Sequence, residues 1–236
     1  MVNYIKFNTT DMKYIKLFLV VVIFTMIASR VSAQDDMKKI YQANYDRALV
    51  YNDFFEAKSA LYKLVIMEPE NDSLLATLAY LYFDARQYAS NVLICMDVLK
   101  LNPNNTSAME MIAISYENLG LKDKALEYYE KLYLKTNDFQ LLYKMAFFQY
   151  DLSKFLQSIT NIDFLLQQPE AEEATVFFTI EDEEKEFPIK TALFNLKGLV
   201  NKELGNMVES RQNYEEALKL SPDFIFAKEN MEALDN

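Results

Sequence analysis

The chain has 236 residues, 51% hydrophobic and 25% charged, with a net charge of −11, no His, no Trp, one Cys and three Gly. These counts exclude a His–Cys zinc cluster, a Ser-His-Asp triad, a disulfide within one chain and a glycine-rich phosphate loop. The length suits one sizeable domain or a short repeat array, with ample apolar residues for a core.

The first predicted element is a leader. Lys6, Lys13 and Lys16 precede an apolar run from Leu17 to Ala28, and Val31-Ser32-Ala33 places small residues where a signal peptidase reads. This three-part pattern predicts a secretory signal peptide over residues 1–33, cleaved between Ala33 and Gln34, with Met1 or Met12 as the start. An apolar run of about 12 residues is shorter than the roughly 20 that span a bilayer, so no stable membrane insertion is expected after cleavage. The leader holds Lys6, Lys13, Lys16 and Arg30 against Asp11, so its removal takes the net charge from −11 to −14. A surface that acidic disfavours nucleic acid and anionic membrane, both polyanions. Gln34 follows the cut where a lipoprotein carries Cys, so the mature chain is expected to be periplasmic or secreted without a lipid anchor.

Residues 34–236 read as a repeat domain. Pro69, Pro103 and Asn137 are 34 apart; Ala57, Asn91 and Ala125 keep that step, followed by Ser158 at 33 and Ser210 at 52. Leu64, Val98, Leu132, Leu165 and Ala217 run in parallel, and Ala79, Ala113, Ala146 and Gly198 step by 34, 33 and 52. Slots that change step together predict internal repeats, at approximately 38–71, 72–105, 106–138, 139–170 and 191–224. Within the third, Met109, Ile112, Ala113 and Tyr116 mark one amphipathic helix, and Ala125, Leu126, Tyr129, Leu132 and Tyr133 a second, separated by Leu119-Gly120. The small residues have a packing reason: antiparallel helices approach closely only where a crossing side chain is small, and Ala113 is expected to face Ala125.

The step of 52 locates an acidic insertion over 170–190, in which Lys185 stands among eight carboxylates between Glu170 and Glu186. Thr175 to Ile180 is β-prone, so the segment reads as a β-hairpin with its tip at Asp182-Glu183 or as an extended, solvated loop. Val176-Phe177-Phe178 is costly to leave in water and is expected to pack on the helices or on a partner. After Pro222, residues 224–235 predict a capping helix with Lys228, Glu229, Asn230 and Glu232 on its wet face.

Leu196-Lys197-Gly198, Leu204-Gly205 and Tyr214-Glu215-Glu216-Ala217-Leu218-Lys219-Leu220-Ser221-Pro222, with Tyr116, Leu119-Gly120, Ala125 and Tyr129 one unit earlier, resemble the tetratricopeptide repeat family. The resemblance implies an all-α, right-handed α-solenoid of about five helix-turn-helix repeats, a C-terminal capping helix, and a short β-hairpin inserted between the fourth and fifth repeats. It further implies that the first helix of each repeat lines a concave groove. Carried over residue by residue, the partner-binding candidates are Tyr80, Phe83, Glu110, Glu117, Tyr143, Phe147 and Tyr150, with Asp151 and Asn195 in neighbouring groove positions. Such an aromatic, acidic surface suits a peptide or protein with apolar and basic side chains.

The implied function is a non-enzymatic protein-interaction scaffold or adaptor in the cell envelope; a glycan or small-ligand module using the same aromatics is the alternative. The Lys and Asn clamp of chaperone-binding members is missing from the first row, Lys39, Gln42, Asp46, Leu49 and Val50. Glu110 and Glu117 share one helix face, but a solvated acidic stripe explains them equally well, and no catalytic residue, metal or cofactor is assigned. Cys95 occupies the slot of Leu61, Tyr129, Ile162 and Tyr214, which predicts a buried hydrophobe.

Overall fold

The computed structural model describes residues 9–235 and divides into two compact units with the boundary between Leu81 and Tyr82. In the first unit, α1 (Thr9–Val50) packs against α2 (Phe54–Met67), and α3 (Asp72–Asp84) begins. The start of the expected leader, with Met1 and Lys6, lies outside the described residues. From Thr9 onward the segments expected as leader and as start of the first repeat form one helix that runs through Ala33-Gln34, because the stretch contains neither Gly nor Pro to stop it. Leu17, Phe18, Val20 and Phe24 are exposed along it. Among the described residues, no helix is long and apolar enough to cross a membrane.

The second unit continues in helical hairpins. α4 (Tyr88–Leu101) packs on α5 (Thr106–Asn118), α5 on α6 (Lys122–Thr136), α7 (Phe139–Asp151) on α8 (Phe155–Leu166), and α9 (Ile189–Glu203) on α10 (Met207–Leu220) and α11 (Ile225–Glu232). The small slots do what their size allows. Ala113 and Ala125 are fully buried, and in the next two hairpins the small residue is a serine that also bonds across the crossing. Ser158 Oγ donates to the Ala146 carbonyl at 2.8 Å, and Ser210 Oγ to the Gly198 carbonyl at 2.8 Å. Asn91, in the same slot of α4, reaches the neighbouring hairpin instead: its Oδ1 accepts from Ser115 Oγ at 2.8 Å and from Cys95 Sγ at 3.7 Å, all three groups fully buried.

One backbone feature repeats with the same period as the packing slots. Asn52, Arg86, Gly120, Ser153 and Gly205 all have positive φ, and they follow one another at steps of 34, 34, 33 and 52. Each ends a first helix with a pair of back-bonds. At Gly120, for example, Gly120 N–H donates to Glu117 O at 2.9 Å and Leu121 N–H to Tyr116 O at 2.9 Å. This left-handed cap satisfies the last carbonyls of one helix while turning the chain into the next. Helix starts are held by side chains: Asp53, Asn105 and Asp138 accept from the amides of Glu56, Ala108 and Leu141 at 3.0, 2.9 and 2.9 Å.

Between α8 and α9 the chain makes a 3-10 turn (Pro169–Glu172) and a two-stranded antiparallel hairpin, β1 (Thr175–Ile180) and β2 (Glu183–Pro188). The tip is Glu181-Asp182, one residue earlier than expected, because Ile180 pairs with Glu183 and both tip residues take positive φ, 51° and 65°. Val176, Phe178 and Ile180 face the helices, while Thr175, Phe177 and Thr179 face outward. Phe178 meets Phe224 edge to face at 5.1 Å, Phe187 meets Phe224 at 4.9 Å, and Phe226 lies 5.3 Å from both Phe178 and Phe224. Ile180, Phe187, Tyr214, Phe224 and Ala227 form one buried cluster, so α11 caps the last hairpin and anchors the insertion together. The expected wet face of the cap holds for Lys228, Glu229 and Glu232, whereas Asn230 is half-buried and donates to Asn195 Oδ1 at 3.0 Å.

The left-handed caps carry a stability test. An added Cβ at Gly120 meets no atom within 4 Å, so Gly120→Ala is expected to destabilise by about 1 kcal/mol through backbone conformation alone. Ser153→Gly, at φ 57°, is expected to stabilise by up to about 1 kcal/mol. Urea unfolding midpoints of the two variants should therefore move in opposite directions.

Candidate functional site

The second unit brings the first-helix faces of α5 and α7 beside β1. A cleft of about 620 Å³ is lined by Glu117, Gln140, Tyr143, Lys144, Phe147, Phe148 and the β1 residues Thr175 to Phe178. A second cleft of about 370 Å³, between α5, α6 and α7, holds Glu110, Ile114, Tyr129 and Leu141. Gln140 and Lys144 line both, so the two clefts adjoin along α7.

Three of the sequence-derived candidates meet in the larger cleft. Tyr143 and Phe147, one helical turn apart on α7, pack edge to face at 5.1 Å and present their rings to it. Glu117 comes from the last turn of α5. Its Oε2 accepts the Tyr129 phenol at 2.5 Å and pairs with Lys144 Nζ at 2.7 Å, while the Lys144 ammonium lies 4.8 Å from the Tyr129 ring centroid. The carboxylate is therefore already matched by a cation of the same chain. It holds Lys144 and Tyr129 in place.

The remaining candidates sit elsewhere. Glu110 lines the smaller cleft. Phe83 packs on Tyr88 at 6.1 Å, and Tyr150 on Phe155 at 6.0 Å; neither lines either cleft. Tyr80 is 60% exposed and belongs to the first unit. Asp151 is paired with Lys122, and Asn195 is buried against Asn230. Among the described residues no group of three or more His, Cys, Asp or Glu is placed to hold a metal ion.

Sequence reasoning missed Gln140, Lys144, Phe148 and β1 as cleft walls. Gln140 had a signal, since it is the second residue of its helix. Lys144 had none: its place in the cleft comes from the reach of its side chain to Glu117. The hairpin's existence was marked by the 52-residue step, but its approach to α7 depends on the Phe178–Phe224 packing, which joins residues 46 apart.

Burial sets the titration behaviour of this region. It pushes the Tyr143 phenol up, and with the hydrogen bond to Glu117 it pushes Tyr129 up as well. Burial also raises Tyr214 from 10.0 to about 12 and Cys95 from 9.0 to about 12. In each case the folded state favours the protonated, neutral form. The unfolded chain then binds fewer protons once pH exceeds 9 to 10, and the associated stability, intact below that range, is lost as pH rises through the folded values. Thermal melts from pH 8 upward are expected to show a falling midpoint beginning near pH 9, with Cys95 alkylation appearing at unfolding rather than before it.

The tetratricopeptide repeat model matches residues 106–137 and 191–224, the two hairpins whose left-handed cap is glycine. No curated protein matches the chain in sequence. Among solved structures, that of the MamA protein is 14% identical with a TM-score of 0.57, over 80% of this chain and 93% of that one. YrrB, described as a TPR protein with an unusual peptide-binding site, is 12% identical with a TM-score of 0.59, over 80% of this chain and 89% of its own. A tetratricopeptide repeat protein from Parabacteroides merdae ATCC 43184 is 17% identical with a TM-score of 0.58, over 84% of this chain and 72% of its own. At these identities the likeness is one of fold. The chain is a helical-hairpin repeat protein that carries tetratricopeptide repeats at 106–137 and 191–224, with a β-hairpin inserted ahead of the last.

Proposed function

We propose that the chain is a non-catalytic protein-interaction scaffold that holds a peptide segment of its partner in the larger cleft. The observation that carries this reading is the union of Tyr143, Phe147 and β1 in one open cleft of about 620 Å³. Rigid aromatic rings give contact area at low entropic cost, and they concentrate binding energy where water is excluded. The Glu117–Lys144 pair on its wall adds one cation and one anion whose positions are fixed. The repeat fold that YrrB shares, and its description as peptide-binding, supports the same reading. Export to the cell envelope belongs to the proposal through the leader pattern of Lys13, Lys16, Leu17 to Ala28 and Val31-Ser32-Ala33.

The test uses chain recovered from the envelope, whose N-terminus is expected at Gln34. Partners crosslinked to it are identified, and their binding is compared between wild type and Tyr143→Ala with Phe147→Ala. Loss of the two rings is expected to weaken binding at least tenfold, about 1.4 kcal/mol or more, with the helical circular dichroism unchanged. Undiminished binding would remove the cleft from the account, and retention of glycans in place of protein would favour a sugar-binding module. Tyr80→Ala, in the first unit, tests separately whether that unit contributes.

A further inference from the structure

The two edges of the hairpin are guarded very differently. β2 reads Glu-Glu-Lys-Glu-Phe-Pro, with four charges and a proline along an edge. These are the features by which natural sheets discourage strand addition. β1 reads Thr-Val-Phe-Phe-Thr-Ile, with no charge and no proline, and it is an edge too, since the sheet has two strands. An uncharged, β-branched and aromatic edge is the kind to which another chain adds.

The register shows which peptide groups are open. A two-residue turn makes Ile180 and Glu183 a hydrogen-bonded pair, so Phe178, Val176 and Ala174 are the residues that bond to the second strand. The Ile189 N–H bond to Ala174 O at 2.8 Å continues that ladder. The amides and carbonyls of Thr175, Phe177 and Thr179 consequently point away from β2, and among the described residues none of them enters a turn or loop hydrogen bond. Thr175 and Phe177 border the cleft that Tyr143 and Phe147 line from the other side, and Phe177 is 64% exposed.

We propose that β1 takes a third strand: an extended partner peptide of alternating apolar and basic residues pairs with its open edge, apolar side chains against Tyr143 and Phe147. The apolar half of the pattern follows from the cleft. The basic half follows from charge, because Glu184 and Glu186 stand on the outer face beside Thr179 and Phe177. They would lie about 10 Å, two strand spacings, from the added strand. That is within about one screening length at 0.1 M salt. The proposal rests on the cleft being the binding site and adds how the partner is held.

The test titrates the full chain with an acetylated, amidated octapeptide of alternating Val and Lys, and with two versions N-methylated on one or the other set of alternate residues. Strand addition uses the backbone groups of one peptide edge. Methylation of one set is expected to weaken binding more than tenfold and of the other to leave it within twofold, while the unmodified peptide slows amide exchange at Thr175, Phe177 and Thr179. A Val–Glu octapeptide is expected not to bind. Equal binding of both methylated peptides, unchanged exchange at those amides, or no binding of the Val–Lys peptide would overturn strand addition. If methylation has no effect but Tyr143→Ala abolishes binding, the cleft stands and only the strand mode fails; if neither has an effect, both fail.

Discussion

The close approach of α9 and α10 at Gly198 is the contact on which the seating of the β-hairpin, and with it the larger cleft, depends. A Cβ at that position would lie 2.3 Å from the Tyr214 ring, so only glycine lets a fully buried tyrosine cross there. Tyr214 in turn belongs to the cluster of Ile180, Phe187 and Phe224 that seats the hairpin. The order of dependence runs from one missing side chain to a ring, from the ring to a cluster, and from the cluster to the position of β1 beside α7. Aromatic pairs of this kind add about 0.5–1.5 kcal/mol each beyond the area they bury. Several around Phe178 and Phe224 suffice to fix a short hairpin that would be marginal alone.

The hairpins from α5 onward reuse one packing solution with local substitutions. Where Gly198 meets Tyr214, the equivalent slots of α5 and α6 hold Ala113 and Tyr129, both buried. Tyr129 is not left with an idle hydroxyl: it donates to Glu117 and so reaches the cleft wall. Tyr214 Oη, by contrast, is buried, and among the described residues no group lies at normal hydrogen-bonding geometry to it. The same slot thus serves packing alone in one hairpin and also fixes the cleft wall in another, without a change of fold.

Much of the fold was legible because packing slots recur. Ala113, Ala125, Ser158, Gly198 and Ser210 announced the helix crossings, and Thr175 to Ile180 announced a strand. The left-handed helix caps were legible only where glycine marks them: Arg86 and Ser153 take the same left-handed conformation as Gly120, yet an ordinary residue at positive φ leaves no trace in a sequence. The site was half legible. Glu117, Tyr143 and Phe147 follow from the groove positions that the tetratricopeptide resemblance implies, whereas Lys144 and β1 enter the cleft through tertiary packing, which those positions do not encode. The reading of the groove as simply acidic was incomplete for the same reason, since Lys144 matches Glu117 across two helices.

The acidic insertion divides its chemistry between its two strands: β2 carries the charge, and β1 is the uncharged edge that the proposed strand addition would use. The most direct measurement of that account is amide hydrogen exchange in Gly198→Ala. Displacing Tyr214 should loosen the cluster, so exchange is predicted to accelerate first across Thr175 to Phe187 while α5 to α8 keep their protection, with overall stability lowered by about 1–3 kcal/mol as in other overpacked cores. Unaltered protection of the hairpin, or loosening of α5 to α8 before it, would contradict the dependence of the cleft on the Gly198–Tyr214 contact.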